Sequence, residues 1–364
     1  MSQKTAVAMS GGVDSSAAAL LLRQEGQELA GVTLRLTDNA LAGLNGESAC
    51  CSLDDVEDAR AAARRLGFPH YVFNFTACFC REVVDPFVRA YEAGETPNPC
   101  ALCNQRVKFG ALHQRARELG WDKVATGHYV RLDFDRGSGR WLLKKAAHTE
   151  KDQSYVLAQL SQEQLSRSLF PLGALSKEEV RTIAREAGLL NAHKRDSQDI
   201  CFVPGGDYGA FIRRYTGKDY PSGPYLDEAG AVLGRHTGII DYTVGQRRGL
   251  GVSSSRGRLY VKELRPEDNA VVLSDNAALF ARTLTADRLN LIPCQRLDGP
   301  VRLLAKIRYR MAEQPCTVEQ TGEDSVRITF DQPQRAITPG QTAVFYDGDL
   351  VVGGAVITER IPAD

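Results

Sequence analysis

Apolar positions along the first 130 residues follow two alternating rhythms. Short apolar runs at Thr5–Met9, Glu28–Leu36, His70–Phe75 and Lys123–Thr126 read as strands. Between them, Ser15–Gln24, Ser52–Leu66, Val83–Ala93 and Asn104–Leu119 carry apolar residues at helical spacing, each closed by a glycine at 26, 67, 94 or 120. In Ser52–Leu66 the residues Leu53, Val56, Ala59, Ala63 and Leu66 share one face, with Ser52 as N-cap. Repeated βα units of this kind predict a mainly parallel sheet with helices on both faces. A hairpin follows, Val130–Phe134 and Arg140–Lys145 around Gly137-Ser138-Gly139. Helices are expected at Ser161–Leu169 and Ser176–Gly188, opening on the capping-box pairs Ser161/Gln164 and Ser176/Glu179. Glycine and proline then rise over 204–251, where helical spacing persists only at Tyr208–Tyr215. Beyond 256 short strands alternate with turn signals: Leu259–Leu264, Ala270–Leu273, Val301–Tyr309, Ser325–Phe330, Thr342–Tyr346 and Val351–Thr358. That texture predicts a small all-β barrel. The expected organisation is an α/β domain over 1–205, a small central α+β domain over 206–275 and a C-terminal β-barrel over 276–364. Residues 161–190 are expected to pack with the central domain.

Composition narrows the class. The chain has 364 residues, 43% hydrophobic and 25% charged, which is ordinary globular usage with room for several cores. A disordered chain, a collagen-like chain and a disulfide miniprotein are excluded. The longest aliphatic run, Ala17–Leu22, is far below the roughly 20 residues that a membrane span needs. Met1–Thr5 runs into a strand pattern with no apolar leader, so a cytoplasmic protein without membrane attachment is expected.

Lys plus Arg and Asp plus Glu each number 45, so a uniformly basic coat is excluded while local basic faces are not. Three stretches hold bases and no acid: Asn104–Arg117, Val244–Lys262 and Arg302–Arg310. Each one alone reads as solvated surface. Nine cysteines, an odd number, argue against a disulfide framework, and six of them fall between 50 and 103. Cys100-Ala-Leu-Cys103 is a CxxC with no second CxxC to complete a zinc site.

The strongest local signal is Met9-Ser10-Gly11-Gly12-Val13-Asp14-Ser15-Ser16 between a strand and a helix. Tandem glycines let backbone amides approach an anion, and the helix N-terminus adds partial positive charge. Neither a Walker A loop nor a GxGxxG fingerprint is present. The loop resembles the pyrophosphatase-type (PP) loop of ATP-dependent adenylating enzymes with HUP-like α/β domains. Further motifs follow in order: Thr96-Pro-Asn-Pro-Cys100-Ala-Leu-Cys103-Asn104, Ala125-Thr-Gly-His-Tyr129, Lys151-Asp-Gln-Ser-Tyr155, Asp196-Ser-Gln-Asp-Ile-Cys-Phe202, Thr243-Val-Gly-Gln-Arg-Arg-Gly-Leu-Gly251, Lys306-Ile-Arg-Tyr-Arg310 and Thr338-Pro-Gly-Gln341. Together they resemble the tRNA-specific 2-thiouridylase (MnmA) family over essentially the whole chain.

The resemblance implies ATP-dependent adenylation of the C2 oxygen of a wobble uridine, followed by sulfur transfer with release of AMP. It implies ATP and Mg2+, the tRNA anticodon stem-loop, and a sulfur donor such as a cysteine desulfurase or a sulfur-carrier protein. Carried over by motif, Cys103 attacks and Cys201 holds a persulfide, thiolates being the competent nucleophiles. The nucleotide would be lined by Ala8, Met9, Ser10, Gly11, Gly12, Val13, Asp14, Ser15, Leu34 and Gly127. The tRNA would meet Asn98, Pro99, Cys100, His128, Lys151, Asp152, Gln153, Arg308, Tyr309 and Gln341. Asp14 is a candidate to hold a magnesium ion, or a ribose or phosphate partner through water. Cys103 is read as opening a helix, whose dipole, with Arg106 and Lys108, would favour its thiolate. Gln246, Arg247 and Arg248 would form a hinge or cover.

One position departs from the family pattern: Cys100 stands where many members have aspartate. Three thiols, Cys100, Cys103 and Cys201, would hold a 4Fe-4S cluster with one open iron, and that is the first expectation. The alternative is a persulfide–disulfide relay between Cys103 and Cys201. Cys50 and Cys51 read as spare thiols. Two other activities stay open: another PP-loop adenylating enzyme, and a non-catalytic iron–sulfur or tRNA-binding protein.

Overall fold

The computed structural model describes residues 3–37, 53–194, 200–252 and 257–362. Cys50, Cys51 and Asp196–Asp199 lie outside these residues. Strands β1 (Lys4–Ala8), β2 (Glu28–Arg35), β3 (His70–Asn74), β4 (Lys123–Ala125) and β7 (Ser168–Leu169) form a parallel sheet in the order β3-β2-β1-β4-β7. Six successive residues of β2, Leu29–Leu34, are buried, as expected for a strand covered on both faces. Helix α1 (Val13–Gln24) presents Ala17, Ala18 and Ala19 with no exposure at all. Their small side chains let helix α2 (Leu53–Leu66) and a later helix, Lys177–Glu186, pack close to α1.

Residues 161–190 were expected to pack with the central domain. Instead Val180, Ala184 and Leu189 share an apolar cluster with α1, β1 and β2. The three-residue spacing on an amphipathic helix showed an apolar face but not which surface it would find.

The central sheet, in the order β10-β11-β8-β9, combines β8 (Gly223–Leu226), β9 (Val232–His236), β10 (Tyr260–Arg265) and β11 (Ala270–Ser274). It shares one core with the helices over 76–92 and 99–118. The pivot of that core is Phe202, 5.5 Å from Phe79, 5.1 Å from Phe87 and 5.2 Å from Phe211, ring to ring. Edge-to-face and tilted packing of this kind adds specificity to plain burial.

The C-terminal barrel is built from β12 (Phe280–Leu291), β13 (Val301–Lys306), β14 (Gln314–Gln320), β15 (Val326–Arg335), β16 (Thr342–Asp347) and β17 (Leu350–Ile361); it runs β12-β15-β14-β13-β16-β17 and closes where β12 pairs with β17. Leu284, Cys316, Val318, Ile328, Phe345 and Ala355 fill it. The hairpin forms as expected, from β5 (Val130–Asp135) and β6 (Arg140–Lys145). It then joins the barrel sheet through Leu350↔Lys144. Val130, Leu143, Tyr155, Val344, Tyr346 and Val351 seal that junction. The barrel is thereby fixed to the nucleotide-type domain and brings its motifs to the face that carries the cysteines.

His113 lies inside the helix over 99–118, 8% exposed and edge-on to Phe109. Burial, with Arg167 and Lys123 nearby, pushes its imidazole down from 6.5 to about 4. The neutral ring is the native form, so its full contribution is present above the unfolded value of 6.5 and is lost as pH falls towards 4. Urea unfolding should therefore lose up to about 3 kcal/mol over that window from this residue. His113→Gln should flatten the loss; an unchanged pH slope in the variant would contradict the assignment.

Candidate active site

The glycine loop sits at the C-terminal end of β1. Met9 N–H still bonds Val32 carbonyl at 2.8 Å, so the loop leaves the sheet only at Ser10. Gly11 has φ of 74° and its Cα faces the Asp55 backbone, so any side chain would strike that carbonyl. Ser15 Oγ accepts from Ser10 N–H at 3.2 Å and donates to Gly12 carbonyl at 3.1 Å, cross-bracing the loop. Gly127 packs on the same loop: a Cβ there would lie 2.7 Å from Asp14 C and 2.8 Å from Ser15 N. Leu34 and Met9 are buried beside it.

Asp14 is engaged within the protein. Tyr129 donates its hydroxyl at 2.7 Å, and Lys177 Nζ lies 2.8 Å from both carboxylate oxygens. Lys177 is the first residue of helix Lys177–Glu186, whose capping box aims it at the loop. Asp14 is thus held by protein cations and hydroxyls. Asn191 Nδ2 donates to the carbonyls of Gly11 and Gly12 and to Ser16 Oγ. Tyr129, Lys177 and Asn191 were not singled out from the sequence, because only the tertiary fold brings them to the loop.

The cysteine helix begins earlier than its apolar spacing suggested. Asn98 Oδ1 accepts from Ala101 N–H at 3.1 Å and Pro99 occupies the first turn. Cys100 therefore lies in the first turn and is exposed, while Cys103 lies one turn on and is buried at 7%. A helix dipole fades beyond its first turn, so it favours the Cys100 thiolate more than that of Cys103. Behind Cys103 the helix widens to π-type hydrogen bonding over Asn104–Ala111. Cys103 belongs to the apolar cluster that also holds Ala6, Val32 and Leu34; Ala8 and the half-buried Cys201 pack against it.

The three thiols do not form the expected cluster site. Among the described residues, no group of three or more His, Cys, Asp or Glu side chains is placed to hold a metal ion. This corrects the 4Fe-4S expectation for Cys100, Cys103 and Cys201. Cys100 is exposed, and burial and then Asp152 push the Tyr309 phenol up.

Most of the residues expected at tRNA brace the site. Gln341 Nε2 donates to the carbonyls of Thr96 at 2.8 Å and Pro97 at 3.2 Å, and Thr96 N–H bonds Pro339 carbonyl at 2.9 Å. Arg308 Nη2 donates to Val244 and Ala336 carbonyls and Thr338 Oγ1, and burial pushes its guanidinium down. Asp152 accepts from Ala146 N–H and from Ser154, while Gln153 accepts from Tyr129 N–H. His128 bonds Thr126 Oγ1 at 2.8 Å beside Phe109; burial, then Lys108, hold it neutral. Lys151 is half-buried, Pro99 buried, and Tyr309 exposed with its hydroxyl donating to Asp152 carbonyl. Lys306 lies 5.9 Å from the Tyr309 ring. Arg106, Arg247, Arg248 and Arg310 are exposed. The Val244–Gly249 loop is pinned to the barrel by Arg308 and by Arg335, which donates to Gly245 carbonyl. Among the described residues no helix is long and apolar enough to cross a membrane.

Comparisons with known proteins cover the chain end to end. Family profiles match at residues 3–205 (tRNA methyl transferase HUP domain), 209–275 (tRNA methyl transferase PRC-barrel domain) and 281–357 (aminomethyltransferase beta-barrel domain). The tRNA-specific 2-thiouridylase MnmA of Clostridioides difficile is 45% identical over 362 residues, 99% of each chain. The one from Koribacter versatilis is 50% identical over 367 residues, 98% of this chain and 99% of its own. The one from Moorella thermoacetica is 50% identical over 351 residues, 96% and 98%.

Two outcomes follow from this geometry. Gly127→Val forces a side chain into the loop backbone, so calorimetric affinity for an ATP analogue should fall about tenfold or more. Gln341→Leu strips two buried carbonyls of their donor. Hydrogen exchange across 96–103 should accelerate while α2 exchanges as before.

Proposed function

The chain belongs to the tRNA-specific 2-thiouridylase family, and on that premise we propose that it thiolates the wobble uridine of tRNA through a persulfide relay between Cys201 and Cys103. As a member of this family it is an enzyme of tRNA sulfur modification. The relay, the target base and the roles of individual residues are the proposal. The observation that carries it is the shared cluster. Cys103 lies in, and Cys201 packs against, one apolar cluster that also takes in Ala6, Val32 and Leu34 of the sheet carrying the glycine loop.

ATP lies with its phosphates over the amides of Gly11–Ser15 and its adenosine beside Leu34 and Gly127. The uridine O2 attacks the α-phosphorus, and pyrophosphate leaves towards the loop. The base must leave its stack to reach this depth. The terminal sulfur of a Cys201 persulfide attacks C2 and AMP departs, leaving C2 joined to Cys201 through two sulfurs. The Cys103 thiolate then attacks the Cys201 sulfur. The former S–S bond breaks, the thiocarbonyl of the base is released, and a Cys103–Cys201 disulfide forms. An external dithiol reduces that disulfide, and a desulfurase or sulfur-carrier protein reloads Cys201.

Exposed Arg106, Arg247, Arg248, Tyr309 and Arg310 suit phosphate contact and base stacking, which position an RNA without reading its sequence. Braced residues such as Arg308 and Gln341 act by holding the surface. The enzyme works in the cytoplasm, where free tRNA and a reducing dithiol meet. A methyltransferase reading, which the profile descriptions suggest, gives no role to a pyrophosphate-type loop or to a second thiol.

The test is reconstitution with unmodified tRNA, ATP and a small-molecule persulfide, reading 2-thiouridine by mass spectrometry. Cys103→Ser and Cys201→Ser should each lose product by about a thousandfold or more while retaining tRNA-dependent ATP–pyrophosphate exchange. Cys100→Ser should retain most turnover. Base methylation from S-adenosylmethionine, or full thiolation by Cys201→Ser, would sink the proposal.

A further inference from the structure

We propose that Asn191 is a positioning residue for the phosphate loop: from the segment that leads to Cys201, it turns the amides of Gly12 and Val13 towards the bound anion. This rests on the loop being the pyrophosphate site.

The direction of its amide is set by its surroundings. Gly11 carbonyl at 3.0 Å, Gly12 carbonyl at 3.3 Å and Ser16 Oγ at 2.9 Å surround Nδ2. Exchanging Nδ2 and Oδ1 would press oxygen against two carbonyls, so only the donor fits there. A peptide is planar, with its N–H opposite its carbonyl. Pinning the Gly11 carbonyl therefore points Gly12 N–H away from Asn191, and pinning the Gly12 carbonyl does the same for Val13 N–H. These are the donors at the mouth of α1, where a helix start attracts anions.

The loop needs such a brace. Gly11 sits at φ of 74° and Gly12 at the extended N-cap, with no side chain on either to hold the peptide plane. Ser15 and Ser16 also reach Gly12 carbonyl, while Asn191 reaches that of Gly11 as well. Asn191 also carries a penalty that an apolar residue would avoid: it is 5% exposed, and its Oδ1 is buried with no hydrogen-bond partner among the described residues. Three residues on, Lys194 bonds Asp55 at 2.5 Å and Asp58 at 2.8 Å, which anchors the segment to α2. Asp55 in turn is the residue whose backbone faces Gly11. The brace is therefore held on two sides.

The test uses the full chain with inorganic pyrophosphate as the probe, so that it needs no turnover. Asn191→Leu is close in size and removes the unpaired oxygen, which favours a folded variant. Its pyrophosphate dissociation constant and its KM for ATP should both rise about tenfold, while kcat at saturating ATP and tRNA affinity stay within about twofold. Asn191→Ser, with one hydroxyl donor, should fall between the two. A residue with a merely structural role would lower thermal stability and leave pyrophosphate affinity alone; that result overturns the proposal. If Asn191→Leu does not fold, Asn191→Ser decides: a rise of about threefold or more supports it and an unchanged constant overturns it. Wild-type protein that fails to bind pyrophosphate would remove the loop reading itself, and the role of Asn191 with it.

Discussion

Backbone amides hold an anion only when the carbonyls of the same peptides are satisfied elsewhere. Much of the N-terminal domain follows from that requirement. Gly11 and Gly12 free the amides, and Ser15, Ser16 and Asn191 take up the carbonyls. The alanine stripe of α1 lets neighbouring helices approach closely enough to deliver those partners. Gly127 closes on the loop at a distance no side chain tolerates. The Asp14–Lys177–Tyr129 contact then locks the first turn of α1 to a helix more than a hundred residues away.

The second organising feature is the continuity of one apolar core across two domains. Phe202 is wedged among Phe79, Phe87 and Phe211, so the residue next to Cys201 is fixed by helices of the first domain and a helix of the second. Cys103 enters the same core from the other side. Burial of this kind keeps water from the Cys103 thiol. Cys100, by contrast, is exposed, so one CxxC presents its two thiols to different environments.

The local features of this protein were legible in its sequence: the βα alternation, the glycine loop, the capping boxes at Ser161 and Ser176, and the hairpin around Gly137. Each depends on neighbours within a few residues. What escaped was partnership. Asp14 looked available for magnesium because Lys177 lies 163 positions away in the chain. Three thiols could be counted, but their directions could not. The helix bearing Cys100 and Cys103 starts at Pro99, and the Asn98 cap with proline in the first turn was a readable signal that apolar spacing from Asn104 obscured. The pairing of β6 with β17 and the placement of Lys177–Glu186 on α1 depended on surfaces that no local pattern specifies.

The Gln341 contact also has a meaning in time. Thr96 and Pro97 receive their donor from a residue 245 and 244 positions later. On a ribosome, the glycine loop and both central thiols emerge well before the strand that finishes the loop around Cys100. A nascent chain therefore displays the parts of the site before they are assembled. The loop before Cys100 therefore gains its Gln341 brace only once the C-terminal strands have been made.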